Sequence, residues 1–169
     1  VYADPDGNGW HMLITARANY GDDAGRGVIG HAVSADLEQW QACPPLSLPQ
    51  MGFGHLEVPQ IVEIEGNMVL VFCCNAPRLA NARTGQIGGI WTAAAASAVG
   101  PFDIEHANLL VDERFFAGRL LQDRSGQWIL LAFAMNRPGE AFQGEISDPM
   151  PVVWNNRQPT LRHPIRGAA

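Results

Sequence analysis

The stretch Ile61-Val-Glu-Ile-Glu-Gly-Asn-Met-Val-Leu-Val-Phe72 holds two short apolar runs, residues 61–65 and 68–72. Both runs have the length and the β-branched content that are typical of strands. Gly66-Asn67 joins them. Such a pair between two apolar runs indicates a two-residue hairpin turn, because glycine adopts the positive φ angle that the turn needs. The stretch therefore predicts two adjacent antiparallel strands.

Short runs of the same kind recur on both sides of this hairpin. The predicted strands are Trp10–Arg17, Gly27–Ser34, residues 89–96, residues 115–121, Trp128–Ala134 and residues 151–154. Residues 89–96 are rich in alanine, which favours a helix. The glycines before them and Val99-Gly-Pro101 after them are more typical of a strand bounded by turns. Asp36-Leu-Glu-Gln-Trp40 is expected to form one helical turn.

This succession of strands and turns, without a long amphipathic helix, predicts an all-β protein. A sandwich, a barrel and a β-propeller all fit the pattern. Trp10, Trp91 and Trp128 each open or lie in a candidate inner strand, and hairpin follows hairpin without a crossover segment, which favours the propeller. No strict sequence repeat is present, so periodicity alone supports it weakly.

Composition limits the class of partner. The 169 residues suit one domain, and 47% hydrophobic with 17% charged residues indicates a globular protein. The net charge is -6, and the 11 basic residues are scattered, which argues against binding to nucleic acid or to an anionic membrane surface. No apolar run approaches the roughly 20 residues that span a bilayer.

Three cysteines, Cys43, Cys73 and Cys74, form no disulfide framework because their number is odd. Adjacent strand residues point to opposite faces, so Cys73 and Cys74 cannot jointly hold one metal ion. Two buried thiols indicate a reducing compartment, and with no leader at Val1 the expected location is cytoplasmic. The histidines also lack the spacing of metal ligands, so neither a metal nor a cofactor is expected.

The segment Gly54-His-Leu-Glu-Val-Pro-Gln-Ile61 is where we expect chemistry. Glu57 opens a strand just after a loop rich in glycine and proline. Its neighbours in the sequence are apolar: Phe53, Leu56 and Val58. Pro59 is predicted to hold the residue before it extended and thereby to fix the direction of nearby side chains. A carboxylate held there could act as a general acid, and a solvated loop carboxylate is the alternative.

Leu56-Glu-Val-Pro-Gln60 resembles the Glu-Cys-Pro-Asp motif of glycoside hydrolase family 32, in which the glutamate is the acid/base residue. Residues 29–40 resemble the family's Ser-x-Asp-Leu-x-x-Trp segment. Residues 115–131 and 144–151 resemble later segments of that family, in the same order. Val58 stands where the family has cysteine and Gln60 where it has aspartate. The related propeller families 43 and 68 also remain open.

The resemblance implies a five-bladed propeller, of which this chain forms about three to four blades of four-stranded antiparallel sheet. It also implies a retaining mechanism with two carboxylates about 5–5.5 Å apart. In the family the nucleophile lies in an Asn-Asp-Pro-Asn segment of the first blade, and a further carboxylate lies in an Arg-Asp-Pro motif. The chain holds no Asn-Asp-Pro-Asn, and Asp4-Pro-Asp-Gly-Asn-Gly9 is predicted to be a hairpin turn. The first blade and both carboxylates are therefore expected to precede Val1.

These features predict a β-fructosidase-like hydrolase of sucrose or fructan, with a small carbohydrate as substrate and Glu57 protonating the leaving oxygen. His55 and Asp112 are candidate substrate-binding residues. Trp40 and Trp91 are expected in the core, with sugar stacking as the alternative. An incomplete propeller leaves strand edges exposed, which predicts a homo-oligomer.

Two other functions remain open at this point. The chain could be a non-catalytic, carbohydrate-binding or structural remnant of such an enzyme, or an all-β binding module unrelated to sugars.

Overall fold

The computed structural model of the chain describes residues 1–135 and 144–162, which fold into three antiparallel sheets. We call the sheets blades 1, 2 and 3. Blade 1 contains β1 (Tyr2–Ala3), β2 (Trp10–Arg17), β3 (Gly27–Ser34) and β4 (Gln41–Cys43). Blade 2 contains β5 (Glu57–Ile64), β6 (Asn67–Cys74), β7 (Gly89–Ala95) and β8 (Asn108–Asp112). Blade 3 contains β9 (Phe115–Gln122), β10 (Trp128–Ala134), β11 (Glu145–Ile146), β12 (Met150–Asn155) and β13 (Gln158–Leu161).

The strands of blades 1 and 2 lie side by side in chain order. Blade 3 differs in one respect: β10 has β9 on one side, and on the other it pairs with β12 at one end and with β11 at the other. The third position of that blade is thus divided between two short strands. The only helices in the described residues are short 3-10 turns at Asp23–Gly25, Ala76–Arg78, Asn81–Arg83 and Ile104–His106.

Most predicted strands are confirmed. Trp10–Arg17, Gly27–Ser34 and Trp128–Ala134 have the predicted bounds, and the alanine-rich segment forms strand β7 instead of a helix. The helical turn expected at residues 36–40 is wrong. The Asp36 carboxylate accepts the backbone N–H groups of Glu38 and Gln39, at 2.8 Å each, and this side-chain competition produces a bend without helical hydrogen bonds.

The predicted hairpin at residues 61–72 is confirmed, but its turn lies one residue earlier than expected. Ile64 pairs with Asn67, so Glu65 and Gly66 form the turn. Both have positive φ angles, 50° and 75°, as a two-residue hairpin turn that follows the twist of its strands requires. Asn67 begins β6, and its side-chain amide donates to the Glu65 carbonyl at 2.9 Å.

Blade 2 is packed between the other two blades, and its central strand β6 is buried on both faces. Leu70, Phe72 and Cys74 belong to the core shared with blade 1, whereas Val69, Val71 and Cys73 belong to the core shared with blade 3. This double burial explains why residues 68–74 are continuously apolar. It also confirms that Cys73 and Cys74 point to opposite faces.

The first strands of the three blades converge on a cavity of ≈ 240 Å³. Val1 and Tyr2 line it from blade 1, Pro59 and Gln60 from blade 2, and Arg119 from blade 3. Convergence of first strands on a common axis is the geometry of a propeller centre. β5 begins at Glu57, two residues before Pro59 of this lining.

Candidate active site

Glu57 is the first residue of β5, and its side chain is 35% exposed. The loop before it is tightly held. Phe53 and Leu56 are fully buried in the core between blades 1 and 2, and the N–H of Gly54 donates to the Arg78 carbonyl at 2.7 Å. A side chain at position 54 would meet that carbonyl at 3.0 Å. The segment therefore presents the Glu57 carboxylate from a rigid base.

His55 lies next to this carboxylate, with 3.7 Å between its Nδ1 and Glu57 Oε1. Its side chain is 16% exposed. Burial lowers the pKa of His55, and the Glu57 carboxylate opposes that shift. Two buried polar atoms nearby, His55 Nε2 and Asn75 Oδ1, have no hydrogen-bond partner among the described residues. The two candidate residues therefore lie side by side in the structure.

The backbone directly after Glu57 departs from the sequence prediction. Glu57 pairs with Cys73, and the next paired residue of β5 is Gln60, opposite Val71. Two residues of β5 therefore face one residue of β6, which is a β-bulge. Val58 has a φ angle of 44°, so the expectation that Pro59 holds it extended is wrong. Hydrogen bonds from blades 1 and 3 hold Val58 in this conformation instead.

Asp112 ends β8, and both of its carboxylate oxygens accept hydrogen bonds from Arg114. The distances are 2.8 Å to Nε and 2.9 Å to Nη2. The same guanidinium lowers the pKa of Asp112. No contact joins Asp112 to Glu57 or His55 among the described residues. Its role in substrate binding stays a prediction.

Asp4 lies in the hairpin turn that the sequence predicts. Its N–H donates to the Gly9 carbonyl, and its carbonyl accepts the Gly7 N–H, at 2.9 Å each. Its carboxylate lies 3.5 Å from His11 Nε2, and His11 Nδ1 lies 2.8 Å from His31 Nε2. No local pattern in the sequence indicates this Asp–His–His chain, because its members come together only through strand pairing.

The two candidate tryptophans and the loop residue Asp23 have different surroundings. Trp91 is a core residue, 3% exposed, and Trp40 is half-buried. Asp23 is exposed and forms ion pairs with Arg17 and Arg26. Within residues 1–135 and 144–162, no group of three or more His, Cys, Asp or Glu side chains could hold a metal ion, and no helix is long and apolar enough to cross a membrane.

Neither a protein-family model nor a curated protein sequence matches the chain. Solved structures match it well. An inulosucrase from Halalkalicoccus jeotgali bound to kestose superposes with a TM-score of 0.75 at 17% identity, over 95% of this chain and 48% of that protein. A family 32 β-fructofuranosidase from Bombyx mori gives 0.67 at 15% identity, over 94% of this chain and 35% of that protein. A Bacillus subtilis levansucrase gives 0.60 at 10% identity, over 79% and 33%.

These similarities define the class of fold. The chain has the fold of the five-bladed β-propellers of fructose-acting glycosidases and transferases, and its described residues form three blades. The propeller prediction and the resemblance to fructosidase propellers are confirmed at this level. The chain spans about half the length, or less, of the structures that it matches.

Proposed function

We propose that this chain forms part of a glycoside hydrolase that cleaves fructose-containing sugars by a retaining mechanism, with Glu57 as the acid/base residue. The position of Glu57 is the main support. Glu57 opens the first strand of the middle blade, two residues before Pro59 of the cavity lining, and its partly exposed carboxylate lies 3.7 Å from His55. The fold around it is the one that the inulosucrase and β-fructofuranosidase structures share.

In this mechanism Glu57 acts twice. As a carboxylic acid it donates its proton to the leaving glycosidic oxygen while a second carboxylate attacks the anomeric carbon and forms a covalent glycosyl intermediate. As a carboxylate it then takes a proton from the water that releases the sugar. His55, whose pKa is lowered by burial, binds a sugar hydroxyl next to Glu57. Asp112, whose carboxylate is held by Arg114, accepts a hydrogen bond from a sugar hydroxyl at the rim of the site.

The nucleophile of this mechanism lies outside the 169 residues in our proposal, since the chain has no Asn-Asp-Pro-Asn segment. The informative protein is therefore the whole gene product, expressed from its own start codon. We expect it to release fructose from sucrose or inulin. Glu57→Gln should lower kcat by about 10²–10⁴-fold. Glu63→Gln should leave kcat unchanged, because Glu63 is an exposed residue of the same strand.

Three outcomes would change the proposal. Equal turnover by the Glu57→Gln and Glu63→Gln variants would remove Glu57 from the acid/base role. Fructose release by residues 1–169 alone, lost on Glu57→Gln, would show that the nucleophile is in this chain. Inversion of the anomeric configuration, followed by NMR of the first product, would exclude the retaining mechanism.

A non-catalytic carbohydrate-binding or structural remnant is the second candidate function. The absence of the nucleophile motif from these 169 residues favours it. It predicts that the whole gene product binds sucrose or inulin oligosaccharides weakly, with the same affinity in the Glu57→Gln variant, and releases no fructose. Calorimetric titration alongside the turnover assay separates the two candidates.

A further inference from the structure

The residue that follows Glu57 has an unfavourable backbone. Val58 is β-branched and precedes a proline, and its φ angle is 44°. Both features disfavour the left-handed region. A conformation of this kind costs about 1–3 kcal/mol and persists only where its surroundings impose it. Some part of the structure must therefore hold Val58 in place.

Both backbone polar groups of Val58 bind side chains from other blades. Its N–H donates to Thr15 Oγ1 of β2, at 3.2 Å, and its carbonyl accepts a hydrogen bond from Arg119 Nη1 of β9, at 2.6 Å. Blade 1 and blade 3 thus each bind one backbone group of the same residue of blade 2. In the bulge, Val58 and Pro59 have no pairing partner on β6. The side chains of Thr15 and Arg119 therefore supply the hydrogen bonds that Val58 would otherwise make within the sheet.

We infer that Thr15 and Arg119 are positioning residues that hold the Val58 bulge and thereby aim the Glu57 carboxylate toward His55. This inference rests on the proposed role of Glu57. A bulge re-aims the side chain beside it. If Val58 returned to an extended conformation, the peptide after Glu57 would rotate. The Gln60 side chain is hydrogen-bonded to the backbone of Leu120 in blade 3, so the rotation would be taken up at Glu57.

Arg119 has a second feature that the test must separate. Its side chain also lines the axial cavity, where it could contact a ligand directly. A residue that only binds ligand would change KM and leave the geometry of the free protein as it is. A positioning residue changes the relation between Glu57 and His55 before any sugar binds. The experiment therefore measures the titration of His55 in the sugar-free protein.

The experiment uses residues 1–169 and follows the titration of His55 by NMR, with His55→Gln to assign its signals. Glu57→Gln should lower the His55 pKa, because the nearby carboxylate favours the charged imidazole. Thr15→Val and Arg119→Met should each reproduce at least half of that shift, and Thr15→Ser should restore the wild-type titration. Arg17 and Arg78, the other charged neighbours of His55, are retained in every variant.

Matched controls are Thr84→Val and Arg124→Met, which change exposed residues of the same types away from Val58. A folded Thr15→Val or Arg119→Met variant whose His55 titrates as in the wild type would overturn the inference. If Arg119→Met does not fold, the His55 titrations of Arg119→Lys, Thr15→Val and Thr15→Ser still decide the inference. The titration requires no enzymatic turnover, so its result can be interpreted even if the hydrolase proposal fails. In the whole gene product, kcat should fall by up to about 100-fold, with little change in KM.

Discussion

The side-chain amide of Gln60 makes two hydrogen bonds to the backbone of Leu120. Its Nε2 donates to the Leu120 carbonyl at 2.8 Å, and its Oε1 accepts the Leu120 N–H at 3.0 Å. Leu120 is 1% exposed, so neither backbone group has ready access to water. The pair joins the first strands of blades 2 and 3. An aspartate at position 60 could accept the N–H but could not donate to the carbonyl.

Replacing Gln60 with glutamate should destabilise the protein. The carboxylate loses the donor and faces a buried carbonyl, which costs about 1–3 kcal/mol in the free energy of unfolding. Urea denaturation followed by tryptophan fluorescence measures the loss. Gln122→Glu, at the exposed end of β9, is the control and should change stability little. Equal stabilities of the two variants would show that the Gln60 bridge contributes nothing.

The contrast between the strands and the site shows what the sequence could predict. The bounds of β2, β3 and β10 follow from local rules, because each is a run of strand-forming residues ended by turn residues. The position of Glu57 at the start of β5 also follows from local rules. The conformation of Val58 is not, since its partners Thr15 and Arg119 lie 43 and 61 residues away in the chain. Local proline chemistry predicted an extended residue, and tertiary contacts overrode it.

The hairpin turn shows a smaller error with a similar origin. Glu65-Gly66 and Gly66-Asn67 both contain a glycine that tolerates positive φ, so local chemistry hardly separates them. Pairing of β6 with β7 along seven residues fixes the register of β6 from Met68 onward, and this long-range pairing selects the earlier turn. The Asp4–His11–His31 chain was beyond prediction for the same reason.

Arg83 should be a strong contributor to stability. Its guanidinium lies over the rings of Phe53 and Trp91, 4.7 and 4.9 Å from their centroids, and donates to the carbonyls of Glu105 and Ala107 at 2.8 and 3.0 Å. Arg83→Met should lower the free energy of unfolding by about 2 kcal/mol or more, because the aromatic contacts and both hydrogen bonds are lost.

Urea denaturation is again the measurement for Arg83. Arg83→Lys should recover only part of the loss, since an ammonium group lacks the planar guanidinium that lies over both aromatic rings. Arg124→Met, at an exposed turn, is the matched control. If Arg83→Met lowers the free energy of unfolding no more than the control does, Arg83 is not a strong contributor to stability.

The thiols should differ in reactivity. Burial raises the pKa of Cys73 to about 11 and that of Cys74 to about 12, so both stay protonated at neutral pH and are shielded from reagents. Cys43 is half-buried on the edge strand β4. Iodoacetamide should therefore modify one thiol of the native chain and three after denaturation, as counted by mass spectrometry. Rapid modification of Cys73 or Cys74 in the native protein would contradict the burial of β6.

Stability should fall as the pH decreases below about 6.5, the ordinary pKa of histidine. Burial lowers the pKa of His31 and of His55 in the folded protein, so the unfolded chain binds more protons in this range. The stabilising contribution of both residues is complete above the unfolded pKa and is lost as the pH falls toward the folded values. His106 acts in the opposite sense, since Asp103 raises its pKa, but its exposed position allows solvent to screen the pair.

Urea midpoints at about pH 7.5 and about pH 5.5 measure this effect. His31→Gln and His55→Gln should each flatten the dependence, whereas His106→Gln should not. A midpoint that rises on acidification would show that the two histidines are not held in the neutral form.

Residues 1–169 should self-associate. The faces of blades 1 and 3 that point away from blade 2 have no covering strand among the described residues, and they expose apolar side chains. Ile14 is 38% exposed on blade 1, and Phe133 and Ile146, which pair directly on blade 3, are 46% and 66% exposed. Light scattering after size exclusion should show a mass that grows with concentration, because burial of such faces is favourable. Phe133→Lys with Ile146→Lys should reduce association, and Leu48→Lys, in an exposed loop, should not. A monomer at every concentration would contradict association through these faces.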